Sequence, residues 1–89
     1  MPKVQHDTSA QAFTAAVDGG TAELEYQRDG DRIVFTHTFV PEAARGQDVG
    51  TALVEKGLAY ARENNVTVVP QCPFVASYIE SHPEAQDLT

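Results

Sequence analysis

The segment Arg45-Gly46-Gln47-Asp48-Val49-Gly50-Thr51 sets a cation and two glycines at the start of an amphipathic helical pattern. Amides in the first turn of a helix have no partner inside it. With the helix dipole they attract anions, phosphate above all. Gly46 and Gly50 would let a phosphate approach the backbone, and Arg45 would add a positive charge. No Gly-Lys-Ser/Thr follows, so the segment is not a Walker loop. Asp48 suits the dipole but would repel a phosphate if turned inward. Its carboxylate is therefore expected to face away and to serve the helix N-terminus. The same pattern also suits a glycine-containing helix start that binds nothing.

Cys72 lies between Pro70 and Pro73, at the start of a second helical stretch, where a thiolate is favoured. It is either a nucleophile or a packing residue, since lone cysteines are commonly buried and inert. His37 falls in a β-rich run; its ring would titrate near working pH and could act as a base, or could simply pack. His82 precedes Pro83 at a helix end, where a cation is favoured, and reads as a cap. The histidines and Cys72 do not fall at metal-ligand spacing, so no metal is expected. Glu23 and Glu25 read as a solvated strand face.

These groups need a scaffold. Phe13, Ala15 and Val17 alternate with Ala12, Thr14 and Ala16, and Asp18-Gly19-Gly20 then gives a tight turn. Ala22, Leu24 and Tyr26 alternate with Glu23, Glu25 and Gln27, the pattern of a half-buried strand. Asp29-Gly30 signals a hairpin. From Ile33 to Val40, strict alternation puts Ile33, Phe35, His37 and Phe39 on one face of a central strand. Pro41 stops it. These three strands should form an antiparallel meander. Over Asp48 to Asn64, Val49, Leu53, Val54, Gly57, Leu58, Tyr60 and Ala61 share one half of a helix, suited to packing on a sheet. Val66 to Val69 reads as a buried strand, reached by a right-handed crossover and therefore parallel. Pro73 opens a second helix with Phe74, Val75, Tyr78 and Ile79 on its apolar face, and Pro83 ends it. The fold class is α+β: a three-stranded antiparallel meander, helix, parallel strand and second helix.

A chain of 89 residues is expected to form one domain over residues 1–89, with 1–9 flexible. Its 42% apolar and 21% charged residues indicate a globular chain rather than a disordered one. A net charge of −7 argues against nucleic acid and against anionic membrane surfaces as partners. No apolar run approaches the length of a membrane span, and the first residues are polar. One cysteine permits no internal disulfide, which fits a reducing cytoplasm. A core this small gains by ligand binding or self-association, so a monomer or weak dimer is expected.

The Arg45 to Gly50 segment resembles the pyrophosphate motif of the GNAT acetyltransferase superfamily, Gln/Arg-x-x-Gly-x-Gly/Ala, with Asp48 standing where the pattern has its middle glycine. His37-Thr38-Phe39-Val40-Pro41, Tyr60-Ala61-Arg62, Val68-Val69-Pro70-Gln71-Cys72-Pro73-Phe74 and His82-Pro83-Glu84 look like a subfamily of very short GNAT-like proteins with a cysteine after the last sheet strand. The resemblance spans about Phe13 to Leu88. It implies a minimal GNAT-like fold with acetyl-CoA between two splaying strands. Backbone groups near Phe39 and Val40 would meet the pantetheine arm. Arg45, Gly46, Gln47, Asp48, Val49, Gly50 and Thr51 would hold the pyrophosphate. Transfer of acetyl to an unidentified amine needs a base for the ammonium and an acid for the CoA thiolate. Larger members often use a tyrosine on the last helix as that acid, and Tyr78 sits in the matching helix. The resemblance thus implies Cys72, Tyr78 and His37 as candidate catalytic residues. A CoA-binding or interaction module with little transfer activity is the alternative.

Overall fold

The computed structural model describes residues 3–89. Four strands pair antiparallel in chain order: β1 (Val4–Asp7), β2 (Ala12–Val17), β3 (Gly20–Asp29) and β4 (Arg32–Phe39). A short 3-10 turn, Glu42–Ala44, leads to α1 (Val49–Glu63). The chain then returns as β5 (Thr67–Pro70), which joins β4 in parallel and completes a sheet of order β1-β2-β3-β4-β5. Next come α2 (Pro73–Ser81) and a 3-10 helix, Pro83–Leu88. This is the α+β arrangement expected from the sequence, with one strand more.

The additional strand lies in the stretch expected to be flexible. Val4 pairs with Ala15 and His6 with Phe13. The four residues carry too few apolar side chains to signal a strand, and an aromatic contact supplies the missing burial. The His6 ring stacks on Phe13 at 4.2 Å and meets the edge of Tyr60 at 4.6 Å. Its Nε2 shares a hydrogen bond with the Tyr26 hydroxyl.

The core forms where α1 lies on the sheet. Phe13, Leu24, Ile33 and Phe35 meet Leu53 and Val54, all fully buried. Burying each such side chain contributes about 1.5–3 kcal/mol. Gly57 lets the helix settle closely, since a Cβ there would lie 2.9 Å from Phe35 Cε1. α2 packs on α1 and β5 through Val75 and Ile79. The far face of the sheet stays open, with Glu25, Gln27 and His37 exposed.

One irregularity overturns the strict alternation read for the central strand. Tyr26 pairs with Phe35, but Glu25 pairs with His37, so Thr36 is an extra residue in β4. Its hydroxyl donates to the Glu25 carbonyl at 3.3 Å. A bulge of this kind swaps the faces of every residue beyond it. Ile33 and Phe35 point into the core, whereas His37 and Phe39 turn to the open face. Thr38 takes the helix side, opposite Leu24.

Burial holds the pKa of His6 below its usual 6.5, against the opposing pull of Asp7. A depressed pKa means that the unfolded chain takes up the proton first. The stability linked to neutral His6 is therefore complete above about pH 6.5 and is lost as pH falls through the folded-state value. His6→Gln removes this titration. The Tm advantage of the wild type over that variant should shrink between about pH 7.5 and 5; a constant difference would refute the assignment.

Candidate functional site

Parallel pairing of β4 with β5 ends at Phe35 opposite Pro70. Pro70 has no N–H to give the ladder. The last link is the Cys72 N–H, which donates to the Phe35 carbonyl at 2.8 Å. Past the bulge, Thr36 to Phe39 has a strand partner on the β3 side alone, among the described residues. Its other edge borders a cavity of about 540 Å³. The remaining walls are the turn at Ala44 to Gly46, the start of α1 at Asp48 to Thr51, and Cys72 to Phe74.

One end of the cavity is built from unpaired backbone. Arg45 N–H bonds the Glu42 carbonyl at 3.2 Å, and Gln47 N–H bonds Ala44 at 3.3 Å. Between and after them, the amides of Gly46, Asp48, Val49, Gly50 and Thr51 have no acceptor among the described residues. Gly46 and Asp48 both adopt positive φ, +86° and +60°. The expectation that the Asp48 side chain would serve the helix N-terminus is corrected here. Asp48 is the N-cap residue, but its side chain makes no cap bond. Its role is conformational, and aspartate is among the few residues that enter the left-handed region readily. That is how it stands in a glycine position. Arg45 donates from Nε to the Val40 carbonyl at 3.1 Å and has no carboxylate partner among the described residues. Gln47 does not line the cavity.

At Gly50, expected to let a phosphate approach the backbone, the ring of Phe74 stands close: a Cβ on Gly50 would lie 2.8 Å from Phe74 Cζ. Phe74 and Phe39, 43% and 44% exposed, are the exposed large apolar residues of the described chain, and both line this cavity.

The other end holds the thiol. Cys72 is 4% exposed, and its Sγ lies 3.2 Å from Thr38 Oγ1. It is the N-cap residue of α2 and immediately precedes Pro73. His37 also lines the cavity, exposed on the open face and paired across the strand with Glu25. Tyr78 does not join them. Its hydroxyl donates to Glu55 Oε2 at 3.3 Å, and its ring stacks on His82 at 3.8 Å. It lines a separate small cleft with Leu58 and Arg62. Burial, and then the charge of Glu55, push its hydroxyl pKa upward. His82 has the helix-end role expected of it, its Nδ1–H donating to the Tyr78 carbonyl at 2.7 Å. Among the described residues no group of His, Cys, Asp and Glu is arranged to hold a metal. No helix there is long and apolar enough to cross a membrane. Sequence reasoning missed Thr38 and Phe74 as cavity residues, the first because the bulge reverses its face and the second because it read as core.

The chain belongs to the GCN5-related N-acetyltransferase family, whose sequence profile matches residues 12–88. Protein NATD1 of Danio rerio is 27% identical over 89 residues, covering 97% of this chain and 81% of that protein. A GCN5-like protein of Staphylococcus aureus, solved in solution by NMR, superposes with a TM-score of 0.77 at 28% identity. That match covers 97% of this chain and 85% of the other.

The conformation of Asp48 can be checked without a ligand. Glycine suits a φ of +60°, whereas alanine is strained there by about 1 kcal/mol. Asp48→Gly should therefore exceed Asp48→Ala in chemical-denaturation stability by roughly that amount. Equal stabilities would show that Asp48 does not hold the left-handed turn in solution.

Proposed function

We propose that this chain binds acetyl-CoA in the groove between β4 and the N-termini of α1 and α2, and transfers the acetyl group to an amine. The observation that carries this reading is the row of five unpaired amides at Gly46 and Asp48 to Thr51. Unpaired amides at a helix start attract anions, so a free row beside a cation fits a diphosphate. The unpaired edge of β4 suits the amide-bearing pantetheine arm, which would run toward Cys72. The Val40 carbonyl already accepts from Arg45, which favours Thr36 to Phe39 as partners of the arm.

In this reading Cys72 is the reactive group. Its thiolate attacks the acetyl carbonyl, and the tetrahedral adduct collapses with loss of the CoA thiolate, which takes up a proton. The resulting S-acetyl group is attacked by the acceptor nitrogen, His37 takes the ammonium proton, and Cys72 is regenerated. Thr38 Oγ1, 3.2 Å away, donates to the sulfur as it bears charge. Tyr78 takes no part. The lone thiol and the CoA chemistry fit a reducing cytoplasm. A second reading, a CoA-binding module with little turnover, is favoured by the position of Tyr78, which leaves no tyrosine acid beside the groove.

Two measurements test the proposal. Arg45→Ala should weaken acetyl-CoA binding about tenfold by calorimetry, through a lost charge-assisted contact. Acetyl-CoA should add one acetyl group to the intact protein by mass spectrometry, and Cys72→Ser should abolish both adduct and transfer. If Cys72→Ala keeps full transfer, the amine attacks the thioester directly; if the wild type shows neither adduct nor transfer but binds CoA, the module reading stands.

A further inference from the structure

We propose that Phe74 gates the groove: its ring rests over Gly50 when the groove is empty and leaves when a diphosphate-bearing thioester arrives. The inference rests on the acetyl-CoA reading above and assigns a role to a residue that reads in sequence only as part of a helix face.

Phe74 is the second residue of α2. Its Cζ, Cε1 and Cε2 would all lie within 3.3 Å of a Cβ on Gly50, the nearest at 2.8 Å. The tip of the ring therefore fills the space above the second residue of α1. That residue carries one of the five unpaired amides. A phenyl ring cannot accept their hydrogen bonds as an oxyanion does, so it leaves the amide row polar and unsatisfied. The ring covers the side of Gly50 on which a Cβ would stand, so a group as large as a diphosphate seated on the row must come against it.

The ring is free to yield. Phe74 is 43% exposed, whereas Val75 and Ile79 are buried at 0% and 6%. Those two residues anchor α2, and Pro73 stiffens its first turn. A χ1 rotation can thus carry the ring toward solvent without moving the helix, on the fast timescale of exposed side chains. Gly50 is what permits the closed position, since a larger residue there would expel the ring.

The consequence is selectivity. A thioester with a diphosphate reaches Gly50 and must displace the ring; one ending at the pantetheine arm need not. If the ring is closed in about nine molecules of ten, the apparent Kd for the former is raised about tenfold over its intrinsic value.

The test uses the whole protein, acetyl-CoA and S-acetyl-pantetheine. In the free protein, NMR should show cross-relaxation between the Phe74 ring protons and the Gly50 Hα protons, and saturation with acetyl-CoA should remove it. Phe74→Ala should tighten acetyl-CoA about three- to tenfold and leave S-acetyl-pantetheine unchanged. Cross-relaxation that persists in the saturated complex, or a variant that binds acetyl-CoA more weakly, would overturn the gate alone. Absence of acetyl-CoA binding in both proteins would overturn the acetyl-CoA reading and the gate with it.

Discussion

The parting of β4 from β5 is the constraint on which the rest depends. Two parallel strands pair through Phe35 and Pro70 and then stop, because proline offers no donor and the next residue of β4 is a bulge. The Cys72 amide closes the pair on the Phe35 carbonyl. That single bond fixes where the groove begins, and it sets the thiol at its inner end. It also leaves an edge of β4 exposed along Thr36 to Phe39. An unpaired edge is a hazard in most sheets. Here it is sheltered by the turn at Arg45 on one side and by α2 on the other.

The bulge at Thr36 has a second effect. It brings Thr38 to the helix side, within reach of Cys72, and turns His37 and Phe39 outward. Thiol and imidazole thus border one cavity from different faces of the sheet. Among the described residues no helix covers the open face. The helix N-terminus makes its own contribution at a cost. Two left-handed positions flanking Gln47, Gly46 and Asp48, turn the chain so that five amides have no acceptor among the described residues. Glycine is at ease there, but a non-glycine residue such as Asp48 keeps a left-handed conformation only where the surroundings fix it, and such positions gather at functional sites. The buried Val49, Leu53 and Val54 supply that fixation.

Much of the scaffold was legible because its signals are local. Period-two alternation gave β2 and β3, the apolar stripe gave α1, and prolines marked where β5 ends and α2 begins. The anion segment was legible for the same reason, since glycine and arginine spacing is written in consecutive residues. What stayed hidden depends on contacts between distant residues. β1 exists because His6 finds Phe13 and Tyr26, which no pattern in four residues can announce. The faces of His37 and Thr38 follow from a bulge that sequence alternation cannot reveal. Phe74 reads as helix core, yet Gly50 gives it a place on the groove. Tyr78 occupies the expected helix, but it contacts Glu55 and His82 in a separate cleft.

The central claim is that the unpaired amides and the free edge of β4 form one ligand site. Amide shifts on titration with acetyl-CoA test it most directly, because each group reports for itself. The account predicts saturable shifts concentrated at Gly46, Asp48 to Thr51 and Thr36 to Phe39, with the β1 and β2 amides unmoved. Shifts absent from these segments at millimolar acetyl-CoA, or spread evenly over the sheet, would contradict it.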